Sequence, residues 1–153
     1  MIGMSNMTDR TEKQVIIFVR GEQFYTDMDP DKMELMTEGS MSIGAGGEIV
    51  LEYQESELTG MEGTTTRFTI QDDTVTLTRE GGVNSQMVFQ RGKRCSSLYE
   101  TPWGSILVDV ATTTLASRLS ERGGVLEVRY TIAVDHRVTG ENRFRIRVRE
   151  RAT

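Results

Sequence analysis

Apolar residues recur at every second position through most of the chain, a period that belongs to a half-buried strand and not to a helix. Ile49, Leu51 and Tyr53 alternate with Val50, Glu52 and Gln54, and Phe68 and Ile70 alternate with Arg67, Thr69 and Gln71. Val75 and Leu77 alternate with threonines. Leu126, Val128, Tyr130, Ile132 and Val134 form one face against Glu127, Arg129, Thr131 and Asp135. Phe144, Ile146 and Val148 then alternate with Arg143, Arg145, Arg147 and Arg149. One buried and one solvated face is the pattern of an antiparallel sheet.

Turn signals punctuate these runs: Thr59-Gly60, Asp72-Asp73, Gly81-Gly82, Arg91-Gly92, Pro102-Trp103-Gly104, Gly123-Gly124 and Thr139-Gly140. Between them the pattern predicts about ten strands, most joined by short hairpins. Their centres fall near Ile17, Leu35, Leu51, Phe68, Leu77, Val88, Leu98, Val108, Val128 and Ile146. No strand–helix–strand alternation is present, so the expected fold is all-β, an antiparallel up-and-down β-barrel that leaves few open edges. The one helix candidate is Thr113 to Glu121, where Leu115 and Leu119 stand four apart; a frayed strand end or a loop fits as well.

Composition narrows the function classes. The 153 residues argue for one domain, placed at 13–150 behind a flexible tail over 1–12. A net charge of -5 gives no reason to expect a nucleic-acid or anionic-membrane partner. One cysteine, Cys95, and one histidine, His136, leave neither an internal disulfide nor a His/Cys zinc site, and no cofactor motif is present. Met1 to Thr11 lacks the pattern of a signal peptide, and no apolar run reaches spanning length, so a cytoplasmic setting is expected.

One likeness covers the chain from about Lys13 to Arg149. It is carried by the run Tyr53-Gln54-Glu55-Ser56-Glu57-Leu58-Thr59-Gly60-Met61-Glu62-Gly63, followed by Leu77-Thr78-Arg79, Gln86-Met87-Val88-Phe89 and Leu98-Tyr99-Glu100-Thr101-Pro102-Trp103-Gly104. In order and spacing these segments resemble the uncharacterised bacterial YwiB-like family. The resemblance implies a calycin-type (lipocalin-related) barrel. It implies no activity, and ligand binding enters only by analogy with lipocalins.

In a closed barrel one parity of each strand faces the lumen. If Ile49, Leu51 and Tyr53 point inward, Glu55 continues that face; if Val75 and Leu77 do, so does Arg79. A carboxylate and a guanidinium then end two apolar rows, where they either meet each other or leave Arg79 for an anionic ligand group. The plain alternative is a solvated rim. Tyr53, Met87, Phe89, Tyr99 and Tyr130 complete the candidate lining, with Glu100 and a mouth-lining Trp103 beside them; a lumen filled by its own side chains would use the same residues. Around Tyr99 either Cys95, Ser97, Tyr99 and Thr101 or Ser96, Leu98 and Glu100 face inward. Pro102-Trp103-Gly104 reads most simply as a tight turn.

The remaining motifs are weaker. Asp27, Asp29, Asp31 and Glu38 echo a calcium loop, but Lys32 stands where glycine should turn the chain and no helices flank it, so no metal site is expected. Gly44, Gly46 and Gly47 fit a hairpin turn rather than a phosphate cradle. Cys95 has only His136 as a possible base, and no carboxylate pair can be singled out, so no catalytic residue is nominated. The row Arg143, Arg145, Arg147, Arg149 suits a solvated face, on an edge strand kept soluble by its charge, with Glu127 and Arg129 across from it. Two expectations follow: a binding protein with a small amphipathic or anionic ligand in its lumen, or a filled barrel acting through its outer surface as an interaction module or homodimer. An enzyme on the same scaffold ranks behind both.

Overall fold

The computed structural model describes residues 11–24, 31–134 and 137–151, leaving aside the side chains of 11, 98–101 and 139. Ten strands follow in chain order: β1 (Thr11–Phe24), β2 (Asp31–Ile43), β3 (Ile49–Gln54), β4 (Thr64–Gln71) and β5 (Thr74–Gly81). Then come β6 (Ser85–Gln90), β7 (Arg94–Thr101), β8 (Gly104–Ser117), β9 (Gly123–Val134) and β10 (Arg137–Glu150). Each of the ten predicted centres falls inside its own strand. The first strand starts two residues before the expected domain boundary; residues 1–10 lie outside the described part.

Hydrogen-bonded neighbours run β6-β5-β4-β3-β2-β1-β10-β9-β8-β7, so every chain-consecutive pair is antiparallel except β6 and β7. The ring is completed by β1, which pairs with β2 from Thr11–Ile43 to Gln23–Asp31 and with β10 from Val15–Glu150 to Phe24–Glu141. At the far side β6 packs against β7 without a ladder. Their connection is tied instead to β8, where the Gly92 N–H donates to the Thr112 carbonyl at 3.0 Å and the Thr112 N–H to that of Lys93 at 3.1 Å. The result is a nearly closed antiparallel barrel of ten strands.

Inward residues stack in levels. One level runs Ile49–Ile70–Val75–Phe89 across β3 to β6, and the next Leu51–Phe68–Leu77–Met87. Opposite them, β1, β10 and β9 supply Val19, Ile146 and Leu126, all buried. Phe89 lies between Tyr130 and Phe144 at ring-centroid distances of 4.7 and 5.2 Å, and Phe68 meets Phe144 at 5.8 Å. Each fully buried ring or branched chain contributes ~1.5–3 kcal/mol, and tilted ring pairs of this kind add to it.

Several local readings change. Of the alternatives for Thr113 to Glu121 the helix falls and the strand end holds: β8 continues to Ser117, with a bulge between Thr112 and Thr114 where it pairs with β9. The strand pairing on both sides outweighs two apolar positions at helical spacing. Thr139-Gly140 is likewise not a turn but sits at a bulge inside β10, between Val138 and Gly140. The arginine row lies on β10, which is flanked by β1 and β9 and is no edge. Gly44 and Gly47 do form the β2–β3 turn, and Asp72 takes the left-handed conformation (φ 54) that a two-residue hairpin asks for.

One glycine governs the shape near the site. β2 pairs with β3 only from Ser40–Glu52 to Ile43–Ile49, although it pairs with β1 along its whole length. At Gly39, where the two strands part, an added Cβ would lie 2.5 Å from the Glu52 carbonyl oxygen and 2.7 Å from Ile17 Cδ1. Neither can yield cheaply, the first being backbone and the second a core side chain. Gly39→Ala is therefore expected to destabilise the barrel by ~1–3 kcal/mol. The measurement is urea unfolding, where the midpoint should drop at unchanged slope; an unmoved midpoint would show that the contact has room.

Candidate functional site

Above the two apolar levels the same register sets a polar one: Tyr53 on β3, Thr66 on β4, Arg79 on β5 and Ser85 on β6. Glu55 follows Tyr53 on the same side, held by its backbone N–H to the Thr64 carbonyl at 2.8 Å. Alternation alone thus delivers the guanidinium and the carboxylate to one end of the lumen. Two neighbouring cavities open there. One, of about 340 Å³, reaches down between Val19, Phe68, Leu77 and Phe144. The other, of about 470 Å³, fills the space where β2 parts from β3, between Met33–Met36 and the β3–β4 connection at Leu58, Thr59 and Met61. Met33, Tyr53 and Arg79 line both.

The two charges do not meet in an ion pair. Glu55 is buried and accepts hydrogen bonds from two hydroxyls, Thr59 Oγ1 at 2.9 Å and Thr66 Oγ1. Thr59 belongs to a 3-10 turn (Glu57–Thr59) that Ser56 caps by accepting from the Leu58 N–H, so Glu55 pins the connection over the barrel end. Arg79 is different. Its Nε is buried with no hydrogen-bond partner among the described residues, an arrangement that costs free energy unless something supplies the acceptor. Thr112 Oγ1 shares that state; it pairs in register with Tyr130, which itself lines the smaller cavity.

Electrostatics set Tyr53 apart. Burial pushes its hydroxyl well above the ordinary tyrosine range, the Glu55 charge adds to the rise, and Arg79 opposes it. At the outer rim of the smaller cavity, Arg143 donates to Glu22 at 2.8 Å and holds that carboxyl below its ordinary range.

The sequence-nominated residues divide into three groups. Tyr53, Glu55, Arg79 and Tyr130 line the cavities. Met87 and Phe89 belong to the packed apolar levels below. Trp103 is 93% exposed at the β7–β8 turn and lines neither cavity, which answers for the turn and against a mouth-lining ring. For Tyr99 and Glu100 the strand is described but the side chains are not. The inward choice on β7 is settled by register: Cys95 and Ser97 pair with Val110 and Val108, on the core side.

Asp27, Asp29 and His136 lie outside the described residues, and Glu38 pairs with Arg151 at 3.4 Å. On the outer face Arg145 meets Glu127 at 3.2 Å, while Arg147 and Arg149 stack over Phe18. Sequence reading missed Thr59, Thr66, Gly21 and Met33. A threonine inside a run of threonines gives no sign that its hydroxyl will face a buried carboxylate.

The architecture is a ten-stranded antiparallel meander barrel with an apolar lumen that ends in one polar level. The chain belongs to the family described as "Domain of unknown function (DUF1934)", whose model matches residues 17–146. Its fold is similar to that of the YwiB protein from Bacillus subtilis, at a TM-score of 0.82 and 18% identity, covering 95% of this chain and 98% of that one. The YwiB-like resemblance read from Tyr53 to Gly104 agrees with both. No curated protein matches the chain in sequence.

The raised Tyr53 hydroxyl yields a pH prediction. A group whose folded value lies above its unfolded one contributes stability that is whole below the unfolded value, near pH 10 for tyrosine, and is lost as pH climbs above it. In a spectrophotometric titration of the phenolate band, one tyrosine should resist ionisation until the barrel opens. Tyr53→Phe should remove that late step, and its survival in the variant would assign the effect elsewhere.

Proposed function

We propose that this chain is a cytoplasmic binding protein of calycin type whose lumen holds a small amphipathic or anionic ligand, with Arg79 as the cation. The observation that carries the reading is Arg79, which lines both cavities and whose buried Nε has no acceptor among the described residues. Glu55, which follows Tyr53 on the same side, is engaged by Thr59 and Thr66. A ligand oxyanion would satisfy the guanidinium, while Val19, Leu77 and Phe144 offer an apolar body the contact it needs.

A second reading, an interaction module or homodimer working through the outer surface, is favoured by a groove of about 370 Å³ on the β1–β2–β10 face. Its floor is Phe18 and Met36, and its walls are Arg20, Arg145 and Arg147. Most of these charges already have carboxylate partners, Arg20 with Glu22 at 3.2 Å and Arg145 with Glu127. The lumen is therefore the stronger candidate.

A medium-chain carboxylate such as decanoate is the probe. Calorimetric titration should show binding that weakens by about 10–100-fold in Arg79→Met, the worth of a charged hydrogen bond. Equal affinity in the variant would remove Arg79 from the assignment. Native mass spectrometry of the freshly purified protein supplies the companion reading, since a retained mass should vanish on denaturation.

A further inference from the structure

The larger cavity has an unusual wall. Beyond the Ser40–Glu52 pair, β2 from Asp31 to Gly39 has no ladder on its β3 side among the described residues, so along that edge no described strand takes up the backbone donors and acceptors. Met33 to Met36 line the cavity along about 13 Å of this edge, at 3.3 Å per residue. Facing them are Leu58, 88% exposed, and Met61, while Met33 and Met36 are 48% and 66% exposed. A flexible, methionine-rich surface of this kind adapts to different side chains. Arg79 also lines this cavity, its Nε without a hydrogen-bond partner among the described residues. Beyond Arg79 the smaller cavity continues into the lumen, apolar along Val19, Phe68, Leu77 and Phe144 and polar along Glu22, Asp31, Lys32 and Arg143.

A fatty carboxylate would answer the cation and the apolar cavity but not the strand edge. A polypeptide C-terminus answers all three. We infer that the ligand of this barrel is the C-terminal end of an extended peptide, added as a short strand along the free edge of β2. In that arrangement its terminal carboxylate meets Arg79. Its last side chain, apolar, enters the cavity between Val19, Leu77 and Phe144. The preceding three or so residues lie antiparallel or parallel along Met33–Met36, exchanging main-chain hydrogen bonds as in other strand-addition complexes. Glu34 and Glu55 on the walls disfavour acidic residues just before the terminus. The inference rests on the lumen-binding reading and narrows its ligand class.

Gly21 gives a clean way to block the inner subsite. It lies on the lumen side of β1, paired with Met33 and Phe144. A Cβ added there would meet only Met33 Cε, at 3.9 Å. Gly21→Leu should fill the smaller cavity with little strain.

The test is fluorescence anisotropy with an N-terminally labelled hexapeptide of alternating lysine and valine ending in phenylalanine. The free acid should bind. Its C-terminal amide, and the free acid offered to Arg79→Met or Gly21→Leu, should each bind at least about tenfold more weakly, the loss of one charged contact or of a filled pocket. N-methylation of the backbone should abolish binding at amides of one parity and be tolerated at the other, the signature of strand pairing.

Equal binding of acid and amide, or indifference to N-methylation at every position, would overturn the inference. So would self-association of the chain that displaces the peptide from the β2 edge. Decanoate distinguishes the two levels of the argument. Arg79-dependent binding of decanoate without binding of the peptide sinks the peptide and leaves the anion site; binding of neither sinks both.

Discussion

The pairing of β1 with both β2 and β10 is the constraint on which the rest of this barrel depends. It joins residues at opposite ends of the chain, Val15 to Glu150 and Phe24 to Glu141, and turns a ten-strand meander into a ring. Without it the inward rows of β3–β6 and β8–β10 would face solvent instead of one another. The aromatic group of Phe68, Phe89, Tyr130 and Phe144 shows what closure brings about, since its members come from four strands on both sides of the ring. On the outside the same ladder sets Arg147 beside Phe18, which covers an outward aromatic with charge.

Closure also decides what the polar level can do. A buried carboxylate and a half-buried arginine with its Nε inside each need partners, and the fold meets the two demands unequally. Glu55 receives Thr59 and Thr66 and fixes the β3–β4 connection; Arg79 receives nothing for its Nε among the described residues. Gly39 lets β2 and β3 touch at Glu52 and Tyr53 where their ladder ends, and the larger cavity lies beyond, between Met33–Met36 and the β3–β4 connection. A guanidinium Nε without a partner among the described residues, a strand edge without a described neighbour and a partly apolar recess thus lie side by side at one end of the barrel.

Most of the architecture was legible because period-two alternation reports burial directly. The ten centres, the hairpin at Asp72-Asp73 and the lumen direction of Glu55 and Arg79 all follow from parity and turn chemistry. Bulges break that logic. At Thr113 and at Thr139 an extra residue shifts the register, so a strand resembled a helix in one case and a turn in the other. Pairing lengths were hidden as well: nothing in Asp31–Gly39 announces that β2 will have a neighbour on one side only. The central place of β10 was hidden for a related reason, since an arginine row serves an edge strand and a flanked outer face equally. Thr59 and Thr66 could not be nominated because a hydroxyl's partner is a tertiary fact.

The seam between β6 and β7 has a consequence of another kind. Among the described residues it is crossed by the covalent chain and by hydrogen bonds from the Gly92 N–H to the Thr112 carbonyl and from the Lys93 N–H to that of Gln90, but by no strand ladder. A backbone cut at Gly92 would leave every ladder intact, dividing the protein into a six-strand and a four-strand piece. Those pieces share the full β1–β10 interface, so each would template the other. The barrel is in this sense a natural two-part assembly, and its seam is the place to divide it into complementing fragments.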